Sequence, residues 1–348
     1  MNNNIKKIDY VTFLSVASAV AVLILHTNSC FWKFGADAYW WPSANVIESV
    51  FYFAVPIFLM ISGITLMDFY DRVSLSGYFK KRILRTFVPY VFWSLFFIAC
   101  KVLKGAIALN EITPKYLYQA ISGNTVVDLF WFFTDLFIVY LSLPLFAAVE
   151  KSRRRQVFTY LVTVGFVLNH LIPFIKMISG SDMNTPLTIP AVTGTLIFPV
   201  LGWLLNDAEL KRSQKMVIYI AGIAGLSVHI IGTYTSSMAA GGIVHTYKGY
   251  ANIPSLLYSV AVFVLLKDIG TFIMKDAKKA VIINFLGKYT FPVYLMQYIF
   301  LRIVPAIFGF DTYSLLYRLL FGPVIIMAMI IVTAFIIRKI PVVRYILP

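Results

Sequence analysis

The chain has 348 residues, of which 60% are hydrophobic and 13% are charged, and its formal net charge is +15. Soluble globular proteins carry about 25% charged residues, so this composition excludes an ordinary soluble domain. The positive charge does not indicate nucleic-acid binding, because the basic residues lie in short gaps between long apolar blocks, as membrane topology requires. We therefore expect an all-α, polytopic integral membrane protein that forms a single domain over residues 1–348.

Ten apolar blocks have roughly the 20 residues that a helix needs to cross the hydrocarbon core. In chain order, these predicted transmembrane helices cover residues 9–29, 46–67, 83–103, 126–148, 156–175, 189–206, 216–236, 253–270, 289–308 and 315–338. Two basic connections, residues 71–82 and 276–288, are expected to form amphipathic segments on the membrane surface. An even number of spans places both termini on the same side.

The distribution of lysine and arginine predicts the orientation. With the N-terminus in the cytoplasm, the inner segments hold 22 of the 30 basic residues and the outer segments hold the remaining 8. This excess follows the positive-inside rule. It predicts that both termini are cytoplasmic.

Ionisable side chains within predicted spans are the first candidates for function, because they are costly to place in a membrane. His26 lies 17 residues after Asp9, which puts it roughly 25 Å along the first helix, toward the outer side, at about 1.5 Å per residue. Glu48 has a similar depth at the outer start of the second span. A neutral imidazole held by a carboxylate is a suitable general base near pH 7, so this pair is a candidate catalytic site. The alternative is that His26 makes only a helix-packing or interfacial contact.

Arg82 and Arg85 form an R-x-x-R sequence at the inner start of the third span. Residues three apart share a helix face, and two guanidinium groups on one face can bind phosphates bidentately. The alternative is anchoring of the helix at the inner membrane surface by snorkelling. Taken alone, the pattern favours anchoring.

Further polar and aromatic residues are predicted to line a cavity between the helices; they are Asp9, Ser62, Trp131, Asp135, Tyr294 and Gln297. Tyr294 and Gln297 share a helix face because they are three residues apart. The alternative for them is polar packing between helices. No metal site is predicted, because the two cysteines lack any metal-ligand spacing.

Together these residues resemble the pattern of the membrane-bound acyltransferase family 3, whose members include bacterial O-acetyltransferases of surface polysaccharides. The matching motifs run in order along nearly the whole chain. They are Asp9 followed by an apolar helix ending at His26, an apolar stretch ending at Ser62-Gly63, Arg82 with Arg85, Val88-Pro89-Tyr90 with Trp93, Trp131-Phe132 with Tyr140 and Pro144, and Phe291 to Leu295.

The chain departs from the family pattern at three places. Ser15 stands where many members have a basic residue, Leu129 and Phe130 stand where a histidine often precedes the tryptophan, and Gln297 stands where a histidine often follows Tyr-Leu. These departures bear on the contacts to donor and acceptor. His26, Arg82 and Arg85 match the pattern.

The resemblance implies a multi-pass enzyme of the bacterial plasma membrane with no bound cofactor. Its co-substrate would be cytosolic acyl-CoA, usually acetyl-CoA, and its acceptor a hydroxyl of an extracytoplasmic or lipid-linked glycan. His26 would be the base, Glu48 would orient it, and Arg82 with Arg85 would bind the donor phosphates. Direct transfer and a transient acyl-histidine are both open. The alternative functions are a transporter or flippase for a glycan-related substrate, which polar groups inside a bundle also suit, and a scaffold or sensor protein.

Overall fold

The computed structural model describes residues 9–181, 187–341 and 343–348, and its regular structure within these ranges is helical. The first seven α-helices are α1 (Asp9–Thr27), α2 (Trp41–Phe51), α3 (Ala54–Leu66), α4 (Leu75–Arg82), α5 (Val88–Leu103), α6 (Pro114–Ser122) and α7 (Phe132–Ala147). The other eight are α8 (Lys151–Gly165), α9 (Ile172–Ser179), α10 (Ile197–Asp207), α11 (Arg212–Ala240), α12 (Ile253–Ile273), α13 (Ala277–Gly287), α14 (Thr290–Phe308) and α15 (Gly322–Ile337). The prediction of an all-α membrane protein is confirmed.

Nine helical segments of the described residues are long and apolar enough to cross a membrane. They are Tyr10–Thr27, Trp41–Asp71, Leu75–Leu103, Asp128–Ala147, Lys151–Ser179, Arg212–Ala240, Ile253–Ile273, Thr290–Phe308 and Tyr317–Ile337. Each matches one predicted span. The predicted sixth span, residues 189–206, forms a helix of only 11 residues, α10, after two 3₁₀ turns. Pro190 and Gly194, whose φ is +57°, interrupt the first half of this block, so the α-helix begins only at Ile197.

The two amphipathic connections are both helical. Ser74 caps α4 by accepting a hydrogen bond from the backbone N–H of Gly77, and Asp276 caps α13 in the same way. Helix α4 continues into α5 through a π-helical turn, Ile83–Phe87. Residues 75–82 therefore extend the third span rather than forming a separate surface helix.

Two glycines bring α3 and α10 into backbone contact. A Cβ atom on Gly63 would lie 1.9 Å from the carbonyl oxygen of Pro199, and one on Gly202 would lie 2.3 Å from that of Met60. Only hydrogen atoms fit at these two positions. The short helix α10 is thus fixed against α3, the helix that carries Ser62.

The bundle has two ends, which we name by their chain segments. At the terminal face α1 begins and α15 ends; there the guanidinium of Arg338 donates to the carbonyl of Lys288, and a Cβ atom on Gly287 would touch Thr12. Arg154 pairs with Asp68 at 2.6 Å on the same face. At the opposite end, the loop face, Arg318 donates to Asn28 and Ser43. The terminal face corresponds to the predicted cytoplasmic side.

Candidate functional site

A cavity of about 1400 Å³ lies inside the bundle between these two ends. Predicted site residues that belong to different spans line this cavity together; they are His26, Glu48, Ser62, Arg82, Arg85, Trp131 and Tyr294. Both proposed catalytic residues and both proposed donor-binding residues therefore share one space. The side chain of Asp9, which was also predicted to line a cavity, lies outside the described part of the structure.

The two arginines line the cavity near the terminal face. The guanidinium of Arg82 lies 5.9 Å from the ring centre of Tyr78 and 5.3 Å from that of Tyr140. Arg85 is exposed and lies in the π-helical turn that joins α4 to α5. Neither arginine forms an ion pair with a carboxylate of the described residues. Two unpaired guanidinium groups facing one cavity can bind a phosphorylated ligand.

His26 lies in the last turn of α1, at the other end of the cavity, where it is partly buried. Its imidazole makes no hydrogen bond with any residue that the structure describes, so both ring nitrogens are available to a ligand. Between His26 and the arginines the cavity wall is largely apolar and includes Val55, Phe58 and Ile61. An imidazole and a pair of guanidinium groups are thus separated by a largely apolar stretch of the cavity wall.

The predicted pairing of His26 with Glu48 is wrong. Glu48 accepts a hydrogen bond from Nζ of Lys248 at 2.8 Å through Oε1, and its Oε2 has no partner among the described residues. Both residues are 4% exposed. A buried carboxylate needs a counter-charge, and the connection between α11 and α12 supplies it by folding Lys248 into the bundle.

Lys248 remains charged in this setting. Burial acts to lower the pKa of Lys248, but the carboxylate of Glu48 and the hydroxyl of Tyr52 outweigh it and raise that pKa above its ordinary value. Nζ also lies 3.8 Å from the ring centre of Tyr52, a cation–π contact. The residue is therefore a fixed positive charge that holds one oxygen of Glu48.

A stack of three aromatic rings lines the cavity beside this ion pair. The ring centres of Tyr52 and Tyr250 are 4.1 Å apart, and those of Tyr250 and Trp131 are 5.2 Å apart. Trp131 is 37% exposed. Burial, followed by the neighbouring Tyr52 and Glu48, raises the pKa of Tyr250 well above its ordinary value, so its hydroxyl stays protonated.

Sequence reasoning missed Tyr52, Lys248 and Tyr250. A signal was present for Lys248, which is one of only 8 basic residues in the outer segments of a chain with 30. The positive-inside rule gives no reason for a lysine there. Nothing in the sequence distinguishes Tyr52 and Tyr250 from the other tyrosines, since the chain has 21 tyrosines in all.

Two of the predicted cavity-lining residues lie elsewhere. Asp135 lies beside Thr195, which belongs to the turn before α10, and it is not part of the cavity lining. Gln297 is fully buried within the bundle. Its neighbour on the same helix face, Tyr294, does line the cavity and donates to the carbonyl of Leu129 at 2.6 Å. A shared helix face was therefore not enough to bring Gln297 to the cavity.

Comparison with known proteins identifies the family. The family model Acyl_transf_3, described as "Acyltransferase domain", matches residues 8–338. No curated protein and no solved structure matches the chain. The family match covers the whole region that builds the cavity, apart from Pro348 at its rim. The chain belongs to the acyltransferase family 3 and is a multi-pass membrane acyltransferase.

Proposed function

We propose that this protein transfers an acetyl group from cytosolic acetyl-CoA to a hydroxyl of an extracytoplasmic or lipid-linked glycan, in a bacterial plasma membrane. One observation carries the proposal: Arg82 and Arg85 line the same cavity as His26. The cavity offers a phosphate-binding end, an apolar passage and a proton acceptor. A phosphorylated donor with a long uncharged arm and a reactive thioester at its tip matches this order of environments.

The donor occupies the terminal face, which the charge distribution of the sequence assigns to the cytoplasm. The phosphates of CoA bind the unpaired guanidinium groups of Arg82 and Arg85 through charge-assisted hydrogen bonds. The pantetheine arm then lies along the apolar wall, with the thioester near His26. Because the arginines have no carboxylate partner within the described ranges, phosphate binding breaks no existing ion pair.

The chemical step uses His26 as a general base. A ring nitrogen takes the proton of the acceptor hydroxyl while its oxygen bonds to the thioester carbonyl carbon. The carbon–sulfur bond then breaks, and the CoA thiolate takes the proton from the imidazolium. The products are an acetyl ester and CoA-SH. In the two-step alternative a ring nitrogen of His26 bonds to the thioester carbonyl carbon, the carbon–sulfur bond breaks, and CoA-SH leaves with the proton of the imidazole ring. The acceptor oxygen then bonds to the acetyl carbon, the carbon–nitrogen bond breaks, and the hydroxyl proton returns to the imidazole.

Labelled acetyl-CoA tests this function. The purified protein in nanodiscs should release CoA-SH from acetyl-CoA and pass the labelled acetyl group to a glycan fraction extracted from membranes of the source cells. If instead protein in sealed vesicles moves a glycan or intact acetyl-CoA across the bilayer and leaves the thioester uncleaved, the protein is a transporter and the proposal fails.

Replacing Arg85 with alanine should weaken donor binding. Loss of one charge-assisted hydrogen bond to phosphate should raise the KM for acetyl-CoA about tenfold or more, with a smaller effect on kcat. Steady-state release of CoA-SH at varied acetyl-CoA concentration measures this. Arg155→Ala is the matched control, because Arg155 is an exposed arginine that does not line the cavity. An unchanged KM in Arg85→Ala would remove Arg85 from the donor site.

A further inference from the structure

The carboxylate of Glu48 has one occupied and one unoccupied oxygen. Oε1 accepts from Lys248 at 2.8 Å, whereas Oε2 is buried and has no partner among the described residues. A buried charged oxygen without a hydrogen bond is costly. Glu48 also lines the cavity that contains His26.

A second ion pair, in which only the arginine is buried, shows a different arrangement. Arg154, which is 3% exposed, pairs with Asp68 and also donates to the backbone carbonyls of Ala147 and Val149 through its remaining nitrogens. This pair does not line the cavity. In that pair every side-chain nitrogen of the buried arginine has a partner within the protein. Glu48, by contrast, lines the cavity and has one carboxylate oxygen without a partner among the described residues.

The surroundings of Glu48 suit a sugar. Sugars combine hydroxyl groups, which donate to a carboxylate, with apolar ring faces, which pack on aromatic rings. Tyr52 lies between Lys248 and Tyr250, and Tyr250 stacks on the partly exposed ring of Trp131. All these side chains line the cavity together with His26. A carboxylate acceptor and an aromatic wall therefore adjoin the proton acceptor on the side away from the arginines.

We propose that Glu48, held by Lys248, forms with Trp131 and Tyr250 a sugar-binding subsite in which Oε2 of Glu48 accepts a hydrogen bond from a ring hydroxyl next to the one that is acetylated. This deepens the proposed function and rests on it for the identity of the reaction. Glu48 is a positioning residue for the acceptor. Lys248 occupies Oε1, so that Oε2 is the oxygen left to accept from the sugar.

The first experiment measures sugar binding without turnover. Methyl β-D-glucopyranoside, methyl β-D-galactopyranoside and methyl N-acetyl-β-D-glucosaminide are titrated onto the purified protein in nanodiscs and followed by saturation-transfer NMR. The wild-type protein should bind at least one of them. Trp131→Ala should weaken that binding about tenfold, as loss of a hot-spot aromatic does. Tyr39→Ala is the control, since Tyr39 is 75% exposed and does not line the cavity.

The ion pair is tested by a double substitution. Glu48→Met with Lys248→Met replaces both charges by side chains of similar length, which a buried pair often tolerates without loss of stability. The double variant should keep the melting temperature of the wild type within a few degrees, yet bind the glycoside about tenfold more weakly. A purely structural pair would leave glycoside binding unchanged. If the double variant does not fold, glycoside binding by Trp131→Ala still tests the subsite. That variant should fold, because the side chain of Trp131 is partly exposed.

Turnover separates this proposal from the proposed function. In the double variant, the KM for the glycoside acceptor should rise about tenfold while the KM for acetyl-CoA stays unchanged. Failure of the wild type to cleave acetyl-CoA overturns the proposed function. The glycoside-binding experiment needs no turnover, so it still tests whether the subsite exists. Wild-type protein that binds none of the three glycosides, or a double variant that binds them as tightly as wild type, overturns the subsite.

Discussion

Replacing His26 with alanine should reduce acetyl transfer by about 10²–10⁴-fold, the range that general-base catalysis contributes. Among the described residues, His26 is the only histidine that lines the cavity. No described side chain is hydrogen-bonded to its imidazole, so no neighbour is placed to accept the proton instead. The measurement is the rate of acetyl transfer by purified protein at saturating acetyl-CoA. The KM for acetyl-CoA should change little, because the phosphates bind at the arginines.

His245→Ala is the matched control for this prediction. His245 is an exposed histidine near the loop face, and its ring stacks on that of Trp32. It does not line the cavity. Its replacement should leave the rate within about twofold of wild type. His26→Ala protein that is folded and transfers acetyl groups at the wild-type rate would show that another group accepts the proton.

Replacing Gly63 with leucine should prevent the native packing of α3 on α10. The first atom of any side chain at this position would lie 1.9 Å from the carbonyl oxygen of Pro199, and backbone cannot move aside as a flexible side chain can. We expect a loss of about 4 kcal/mol or more, at the upper end of what single substitutions cause. The melting temperature in detergent and the yield of monodisperse protein measure it.

Gly242→Ala is the control, because a Cβ atom at Gly242 would meet no atom within 4 Å. It should leave the melting temperature unchanged. The reciprocal contact predicts that Gly202→Leu behaves like Gly63→Leu, since a Cβ atom there would lie 2.3 Å from the carbonyl of Met60. A Gly63→Leu protein with the melting temperature of the wild type would mean that α3 and α10 are not in backbone contact.

Hydropathy predicted the helical spans well because a membrane helix must satisfy its own backbone over a fixed thickness. The exception is residues 189–206, whose apolar content is high enough for a span. Pro190 and Gly194 interrupt the α-helix in the first half of this segment. The glycine contacts fix α10 against α3, and a count of apolar residues does not predict such contacts. Length and hydropathy therefore located the segment but not its structure.

The candidate site was predicted in part. Counting residues along a helix gives the depth of a side chain in the membrane, and this placed His26 and Glu48 at similar levels. Depth does not give the direction in which a side chain points around its helix, nor the path of a distant loop. Glu48 pairs with Lys248, which lies 200 positions away in sequence. For the same reason, the prediction that Asp135 and Gln297 line the cavity is wrong: depth and spacing did not show which way their side chains point.

The apolar wall between the arginines and His26 has an electrical consequence. Moving one elementary charge through the full membrane field requires about 2.3 kcal/mol per 100 mV. In the proposed reaction the CoA phosphates stay at Arg82 and Arg85, and only the uncharged arm and acetyl group pass Val55, Phe58 and Ile61. Acetylation on the far side of the bilayer would then proceed without work against the transmembrane voltage, at the same rate in energised and de-energised membranes.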